Sequence, residues 1–275
     1  MSLPLTVLIP CKDERLNIRP CIESAMTIAD EVLVADSGST DGTLEIVRSL
    51  GCRVIEREYR TSGDFKNWAI PQASHEWVLL IDADERVPEK LAGEIKQLLR
   101  TEPKHDGYWI YRDNHFMGHR VYHCGWNHDK VLRLFRRDQA QYEGPSDHGE
   151  VQIASGNVGF LKEHFLHYTY WDYDQLFRKF HRYTTLQARQ WHDQGKPASS
   201  VRMFVNPFYR FFKSYVLQLG FLDGRIGLQI SLMAGFYSFT KQARLWALHH
   251  AQQQPDPEAA LAATRDADAD VRRAA

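Results

Sequence analysis

The chain has 275 residues, with 34 lysines and arginines against 35 aspartates and glutamates, so its formal net charge is −1 at pH 7. This balance gives no electrostatic reason to expect a nucleic acid as partner. The length suffices for one domain with a large core plus an appendage. The cysteines at positions 11, 21, 52 and 124 have no paired spacing, which favours reduced thiols in the cytoplasm. The N-terminus leads straight into a predicted strand, without a charged and then apolar signal segment.

The N-terminal part of the chain alternates strands and helices. Leu5–Pro10 is a short apolar run that predicts a first buried strand, and Glu31–Ala35 predicts a second. The second predicted helix ends at Gly51, and Cys52–Ile55 predicts a third strand. Before the second strand, apolar residues fall on one face of a predicted helix at positions Ile18, Cys21, Ile22 and Ala25. This alternation predicts a parallel sheet wound with helices.

The fourth predicted strand ends in acidic residues. The apolar run Trp77–Ile81 leads directly into Asp82 and Asp84. If the chain stays extended there, residues two apart point to the same side, so both carboxylates can face one ion. Carboxylate oxygens suit Mg²⁺ or Mn²⁺, which bind proteins through one or two carboxylates and complete their shell with substrate phosphates.

Three of these strands end in polar or acidic loops, at residues 12–14, 36–41 and 82–85. Such loops converge at the carboxyl edge of a parallel sheet, where ligands bind. The chain has neither a Gly-x-Gly-x-x-Gly segment after its first strand nor a P-loop, which argues against a dinucleotide site and a P-loop nucleotide site. Phosphates would instead meet a metal ion and Lys66. This combination points to a sugar-nucleotide site.

Four ordered motifs stand out in the chain: Val7–Glu14, Val34–Thr43, Phe65–Ala69 and Leu80–Arg86. Through them residues 3–250 resemble glycosyltransferase family 2, and within it the branch of lipopolysaccharide and lipooligosaccharide core β-1,4-glucosyltransferases. The likeness continues through His123–Trp126, Val131–Phe135, Tyr142–Pro145 and Leu166–Tyr168, and ends near Phe221–Gly224 and Phe239–Ala243. The family implies a GT-A fold, a Rossmann-like mixed sheet flanked by helices. It also implies a nucleotide-sugar donor, a divalent metal ion and inversion at the anomeric carbon.

The resemblance also implies roles for residues of the donor site. Asp36 matches the acidic position that contacts the nucleotide base, while Pro10 and Glu14 match the loop around the nucleoside. Lys66 matches a basic position near the base and the phosphates, and Asp82 with Asp84 matches the metal-and-ribose motif. Each of two donor-site residues has a structural alternative. Asp36 could simply cap its own turn, and Lys66 could be a solvated helix residue.

Transfer with inversion needs a base that takes a proton from the acceptor hydroxyl. The family places an acidic residue beside a histidine after a segment like Tyr142–Pro145. Here that region contains Asp147, His148, an inserted glycine and Glu150. We predict Glu150 as the base, with Asp147 as the second candidate and an ordinary surface loop as the alternative. His167 matches a third metal ligand of related enzymes, or is a core histidine.

Residues 115–128 are the candidate acceptor wall. His123 and Trp126 are predicted to contact an acceptor sugar, and Arg133, with its neighbours at 136 and 137, is predicted to bind acceptor phosphates. Histidines at 115, 119 and 123 have the spacing of a helical metal face, but Gly118 argues against a helix there, so structural zinc is disfavoured. The alternation from Val131 onward equally fits a half-exposed strand.

The sequence divides into residues 1–170, a catalytic domain, residues 171–250, a helical extension, and residues 251–275, a flexible tail. Asn206 and Pro207 predict the start of a helix in the extension. Apolar and aromatic faces flanked by basic residues, among them Arg202, Arg210 and Lys241, suit a helix lying on anionic lipid. A helical cap on the catalytic core or a homo-oligomer contact is the alternative.

The combined prediction is an inverting, metal-dependent hexosyltransferase. It would move glucose from UDP-glucose to a lipid-linked, lipopolysaccharide-core-like oligosaccharide while bound to the cytoplasmic face of the inner membrane. Two other classes compete with it. A sugar-nucleotide pyrophosphorylase would need a glycine-rich loop after the first strand, which Cys11–Glu14 lacks. A non-catalytic nucleotide-sugar or glycan-binding protein would keep the fold and lose the base.

Overall fold

A computed structural model describes residues 2–143 and 150–250 of the chain. Its strands are β1 (Leu5–Cys11), β2 (Glu31–Asp36), β3 (Arg53–Glu56), β4 (Trp77–Leu80), β5 (Glu85–Arg86), β6 (Gly107–Phe116), β7 (His119–Arg120), β8 (Lys130–Arg136), β9 (Ala140–Tyr142), β10 (Val151–Ile153) and β11 (Val158–Tyr170). Its α-helices are α1 (Ile18–Met26), α2 (Thr43–Ser49), α3 (Ser62–Ala69), α4 (Glu89–Arg100), α5 (Tyr173–Asp193), α6 (Ser200–Phe212) and α7 (Gly224–His250).

Nine of the strands form one mixed sheet in the order β3-β2-β1-β4-β8-β6-β11-β5, with β7 paired to β6. The strands β1, β2, β3 and β4 are parallel, whereas β8 runs antiparallel to both β4 and β6. β9 and β10 form a separate antiparallel pair. Apolar clusters fill both faces of the sheet, as expected of parallel strands covered on both sides. The predicted α/β fold class is confirmed.

The predicted N-terminal elements are confirmed closely. In α1 the buried residues are the four predicted from the spacing, Ile18, Cys21, Ile22 and Ala25. After α2, Gly51 has a φ of +71°, a conformation that glycine adopts without the strain of a Cβ atom. The third strand follows at once because the αL residue ends the helix and turns the chain back toward the sheet.

The chain divides into two compact units, while the predicted division into a catalytic domain and a helical extension at residue 170 stays a prediction. Within the described residues, one unit extends to Phe177 and includes Phe212–Leu232, and the other combines Arg178–Phe211 with residues 233–250. Residues 212–232 belong to the first unit because they bind the loop before β8. The Asp223 carboxylate accepts hydrogen bonds from the backbone N–H of His123 (2.8 Å) and of Tyr122 (3.3 Å). The predicted tail, residues 251–275, lies outside the described residues.

In the helical unit the predicted helix start at Asn206 and Pro207 is wrong. Pro207 lies inside α6, which begins at Ser200. A Cβ atom on Gly235 would come within 2.9 Å of the Pro207 carbonyl oxygen, so the backbones of α6 and α7 pack closely there. The packing of α6 against α7 thus stabilises Pro207 inside a helix, although proline by itself prefers the first turn of a helix. Over residues 2–143 and 150–250, no helix has both the length and the apolar character needed to cross a membrane.

Glu31 ties together the amino ends of β1 to β4. Its carboxylate accepts hydrogen bonds from Thr6 Oγ1 (2.7 Å), from the Ser74 backbone and hydroxyl (2.8 and 2.7 Å) and from Arg53 (2.9 Å). Burial raises the pKa of Glu31, but these hydrogen bonds outweigh that effect and lower the pKa from 4.5 to about 2. Because the pKa in the folded state lies below the unfolded value, the carboxylate stabilises the fold above pH 4.5, and this contribution is lost as the pH falls toward 2.

We expect Glu31→Gln to lower the free energy of unfolding by about 3 kcal/mol at pH 7, and the difference from the wild type to narrow by about half at pH 3. Urea unfolding at the two pH values measures both. Glu23→Gln is the control, since its side chain is 55% exposed and pairs with Arg19 on the helix surface. If Glu31→Gln lowered the free energy of unfolding equally at pH 7 and pH 3, the link between the lowered pKa of Glu31 and stability would be contradicted.

Candidate active site

The carboxyl ends of β1 and β2 carry two loops that lock into each other. Asp13 Oδ1 accepts from the backbone N–H of Thr40 (2.8 Å), and its own N–H donates to Ser39 Oγ (2.9 Å). The Glu14 N–H donates to Thr43 Oγ1 (2.9 Å), so the nucleoside loop predicted around Pro10 and Glu14 is fixed against the start of α2. These cross-links depend on the parallel register of β1 and β2, which places Cys11 opposite Asp36.

Asp36 is fully buried at this edge. Its Oδ2 accepts from the N–H groups of Gly38 (2.7 Å) and Ser39 (2.8 Å), while its Oδ1 accepts from Ser39 Oγ (2.5 Å) and Cys11 Sγ (3.5 Å). This is the turn-capping arrangement considered as an alternative for Asp36. Contact with a nucleotide base stays a prediction.

The acidic segment after β4 forms a turn instead of continuing extended. β4 ends at Leu80, and the Glu85 N–H donates to the Asp82 carbonyl oxygen (2.9 Å). The Glu85 carboxylate, completely buried, accepts from the Asp82 N–H (2.9 Å). The two aspartates therefore meet different partners, and the extended geometry that would aim both at one ion is not present.

Asp82 contacts two cations. Arg133 donates to its Oδ2, and Lys66 Nζ lies 3.6 Å from its Oδ1. Burial raises the pKa of the Asp82 carboxyl, but Arg133 and then Lys66 outweigh it and hold the pKa well below its usual range. Lys66, whose side chain is only 13% exposed, is thus directed into the site instead of being a solvated helix residue.

Asp84 faces His167. β5 pairs with β11 so that His167 lies opposite Glu85, and His167 Nε2 comes to 3.7 Å from Asp84 Oδ1. The amide group of Asn114 donates through its nitrogen to Trp126 O and to Asp129, so its oxygen is left to accept from His167 Nδ1 at 2.5 Å. A proton on Nδ1 leaves the Nε2 lone pair on the side of Asp84. This is how a second group commonly orients a metal-binding histidine.

Asp84 and His167 therefore suit a divalent ion as one carboxylate and one imidazole ligand. Over the described parts of the chain, no group of three or more histidine, cysteine or acidic side chains could hold an ion. An ion bound at Asp84 and His167 would take its remaining ligands from substrate phosphates and water, as Mg²⁺ and related ions usually do.

A buried charge network that the sequence did not reveal supports the acidic turn. Arg112 donates to both carboxylate oxygens of Asp129 (2.9 and 2.8 Å) and to Glu85 (3.2 Å). Arg133 Nη2 lies 3.9 Å from Glu85, and its Nη1 donates to the Tyr142 hydroxyl (3.3 Å). In the sequence, this network is indicated only by charged residues that interrupt the apolar strands β6 and β8. That pattern does not identify which charged residues pair with one another.

Arg133, predicted to bind acceptor phosphates, is buried in this network. We expect Arg133→Met to cost about 3–5 kcal/mol in urea unfolding at pH 7, because the change removes the main cation of Asp82 and a second cation near the buried Glu85 carboxylate. Arg48→Met is the control: Arg48 and its partner Glu56 are 59% and 55% exposed, so its loss should cost no more than about 1 kcal/mol. Similar costs for the two variants would show that Arg133 does not hold the turn.

Glu150, the predicted base, lines a pocket beside the acidic turn. The pocket has about 370 Å³ of space, including its open mouth, and its lining residues are Lys66, Trp109, Lys130, Val131, Leu132, Arg133, Tyr142, Glu150 and Val151. Glu150 is exposed directly before β10, and Lys66 Nζ lies 5.1 Å from the centre of the Tyr142 ring. The tertiary structure thus brings an exposed carboxylate to the cations around Asp82. Asp147 and His148 lie outside the described residues.

The other predicted acceptor residues lie on the loop before β8. His123 Nδ1 is 2.9 Å from Asp223 Oδ1, and the Trp126 ring packs edge-on against Phe116 at 6.4 Å. His115 and His119 belong to the β6–β7 hairpin and not to a helix. Acceptor contact by His123 and Trp126 stays a prediction.

The chain is similar in sequence to known glycosyltransferases. The lipopolysaccharide core biosynthesis glycosyltransferase LpsC of Rhizobium meliloti (strain 1021) is 28% identical over 266 residues, which cover 94% of this chain and 98% of that protein. An uncharacterized glycosyltransferase of Rickettsia bellii (strain RML369-C) is 29% identical over 257 residues, 89% of this chain and 87% of that protein. Both relatives therefore match the chain along nearly its whole length.

Solved structures with similar architecture are more distant in sequence. The mannosyltransferase PcManGT of Pyrobaculum calidifontis, in complex with GDP-Man and Mn²⁺, is 18% identical with a TM-score of 0.47, over 98% of this chain and 81% of that one. Glucosyl-3-phosphoglycerate synthase of Mycobacterium tuberculosis, in complex with Mn²⁺, UDP and its product, is 18% identical with a TM-score of 0.47, over 72% and 82%. The model of the family described as Glycosyl transferase family 2 matches residues 6–165, more than half of the chain. This chain, with its mixed GT-A sheet, belongs to glycosyltransferase family 2.

Proposed function

We propose that the chain is an inverting, metal-dependent hexosyltransferase that uses UDP-glucose as donor. Its acceptor would be a lipopolysaccharide-core-like or other lipid-linked oligosaccharide at the cytoplasmic face of the inner membrane. The observation that carries the proposal is the meeting of a metal-ligand pair, Asp84 with His167, and a pocket lined by Lys66 and Glu150 around one acidic turn.

In this proposal the donor diphosphate lies at the acidic turn. Asp84 and His167 Nε2 would hold Mg²⁺ or Mn²⁺, which supplies positive charge to the diphosphate as it leaves. Lys66 already lies at this edge and adds a second positive charge for the phosphates. The buried ion pairs of Arg133 and Arg112 keep the turn in one geometry, so that Asp84 is positioned before the substrate binds.

Glu150 would act on the acceptor. Its carboxylate accepts the proton of the acceptor hydroxyl while that oxygen forms a bond to the anomeric carbon from the side opposite the diphosphate. The bond from the anomeric carbon to the diphosphate breaks, and UDP leaves with the electron pair. One displacement inverts the configuration. The exposure of Glu150 at the pocket supports this role, because the base must be reached by the acceptor.

The identity of the acceptor is supported by the relative LpsC, whose name places it in lipopolysaccharide core biosynthesis. Attachment to the membrane is supported by the part of α6 in the helical unit. It carries large exposed apolar side chains, namely Val201, Phe204, Val205, Phe208 and Tyr209. Together with Arg202 and Arg210, such a surface suits an interfacial helix on anionic lipid.

A release assay with UDP-glucose tests the enzymatic part of the proposal. We expect UDP release in the presence of Mn²⁺ or Mg²⁺ and an oligosaccharide acceptor, and little release after chelation of the metal. A thermal-shift panel of nucleotide sugars would then identify the donor, because a ligand that binds the native state raises the melting temperature. If the chain binds UDP-glucose but releases no UDP with Mn²⁺, with Mg²⁺ or without metal, it is a non-catalytic binding protein.

Sedimentation with lipid vesicles tests the membrane part. We expect the chain to bind vesicles containing anionic phosphatidylglycerol more tightly than neutral ones. Phe204→Ser with Phe208→Ser should weaken that binding at least about tenfold, since each buried phenylalanine contributes about 1.5–3 kcal/mol. Leu16→Ser, at a residue 75% exposed in the other unit, is the control. Unchanged vesicle binding by the double variant would contradict attachment through α6.

A further inference from the structure

One face of strands β6 and β11 carries a row of ring side chains. Because alternate residues of a strand point to the same side, the parallel register pairs Trp109 with Phe160, Tyr111 with His164 and His115 with Tyr168 on this face. A bulge between Phe160 and His164 keeps the ring residues of β11 opposite those of β6. We call these six residues the aromatic ribbon.

The rings of the ribbon contact one another, and at its far end Tyr168 also stacks on Trp171 at 4.8 Å. Phe160 lies 6.5 Å from Trp109 and 6.3 Å from Tyr111, centre to centre, with the ring planes inclined by 22° and 26°. Tyr111 is 5.4 Å from His164, and His115 stacks on Tyr168 at 4.7 Å. Phe160 is 53% exposed. The other five ribbon residues are half-buried, so the ribbon leaves one exposed ring and the edges of its neighbours open to a ligand.

Polar groups alternate with the rings along the ribbon. Asp113 lies between Tyr111 and His115 on β6, and its carboxylate contacts His164 Nδ1 (2.9 Å) and Arg120 (2.8 Å). A surface of this kind does not suit a purely apolar partner, because its charged and imidazole groups would lose water without gaining hydrogen bonds. It suits a sugar chain, whose rings offer C–H groups to aromatic faces and hydroxyl groups to the polar side chains.

The ribbon continues into the pocket that contains Glu150. Trp109 and Lys130 line that pocket. Lys130 Nζ lies 5.0 Å from the centre of Trp109 and 4.7 Å from that of Phe160, so the ammonium group joins the pocket to the first pair of rings. Among the described residues, no carboxylate forms an ion pair with Lys130, which leaves its donors for a ligand. From Trp109 to His115 the ribbon extends roughly 20 Å, enough for several sugar units.

We propose that the aromatic ribbon binds the acceptor oligosaccharide and leads its terminal sugar to Glu150. This proposal rests on the proposed function, since it assigns the acceptor of that same pocket. The sequence predicts acceptor contacts at His123 and Trp126, on the loop before β8. The ribbon places the main acceptor contacts on the open face of β6 and β11 instead.

The test uses the full chain and the water-soluble core oligosaccharide that mild acid releases from bacterial lipopolysaccharide. Calorimetry measures binding of this probe without UDP-glucose, and initial rates of transfer give the KM values of donor and acceptor. We expect Phe160→Ala to weaken binding and raise the acceptor KM about fivefold, the scale of one lost aromatic contact. Adding Tyr111→Ala should weaken it further, with kcat and the donor KM unchanged.

Two matched variants separate ring contact from general damage. Phe160→Trp keeps an aromatic ring and should bind within about twofold of the wild type. Phe177→Ala removes a ring of similar exposure, 46%, from α5 and should leave both KM values unchanged. Sedimentation velocity of each variant checks whether the ribbon instead pairs two copies of the chain.

The outcomes distinguish this proposal from the proposed function. If the wild type binds the oligosaccharide and the binding depends on Phe160 but no glucose is transferred, the proposed function fails while the ribbon stands. If the wild type transfers glucose and Phe160→Ala with Tyr111→Ala has unchanged acceptor binding and KM, the ribbon proposal is overturned. It is equally overturned if the wild type does not bind the probe, or if the variants change only self-association.

Discussion

Asp84→Ala is expected to abolish sugar transfer and metal-dependent binding of UDP without unfolding the chain. Asp84 is the one carboxylate of the turn that faces His167 Nε2, so its loss removes half of the metal-ligand pair. A metal ion contributes several kcal/mol to the stabilisation of a charged transition state, which corresponds to a loss on the order of a thousandfold in rate. The fold should persist because Glu85 and Arg133, not Asp84, hold the turn.

Calorimetric titration of UDP with and without Mn²⁺, together with the rate of glucose transfer, measures both effects. Circular dichroism and urea unfolding report whether Asp84→Ala remains folded. His167→Ala should weaken Mn²⁺-dependent UDP binding in the same direction, and Asp138→Ala, at a carboxylate that is 73% exposed, should change nothing. Normal transfer by Asp84→Ala would refute the metal assignment.

Glu150→Gln should lower kcat by about 10²–10⁴ while leaving the binding of UDP and metal intact. The amide keeps the size of the side chain but cannot accept the acceptor proton. Since Glu150 is exposed, its replacement should not alter stability. Pre-steady-state and steady-state rates of glucose transfer, set against the affinity for UDP, separate loss of the base from loss of donor binding.

Two further variants decide between the candidate bases. Glu143→Gln changes an exposed carboxylate on the other side of residues 144–149 and should retain full activity. Asp147→Asn tests the second candidate, which lies outside the described residues. If Asp147→Asn loses activity and Glu150→Gln does not, the base is Asp147, and the glycine inserted before Glu150 has shifted the segment relative to the family pattern.

The sequence predicted the N-terminal strands and helices because each depends on local features that can be read along the chain. The spacing of Ile18, Cys21, Ile22 and Ala25 identified the buried face of α1, and Gly51 identified the end of α2. The motifs also identified the right family and the acidic segment at the edge of the sheet. Such signals survive in the folded state because they concern hydrogen bonding and burial within a few residues.

Tertiary structure decided the partners of the charged residues. Asp82 contacts Arg133, 51 positions away, and His167 meets both Asn114 and Asp84 only because β11 lies between β6 and β5 in the sheet. The order of the strands after β4 is not encoded in any local pattern. It follows from how the buried faces pack together, so neither the charge network nor the aromatic ribbon could be read from the sequence. The Asp82 and Asp84 side chains meet different partners because the segment forms a turn. The buried Glu85 carboxylate stabilises this turn by accepting a hydrogen bond from the Asp82 N–H.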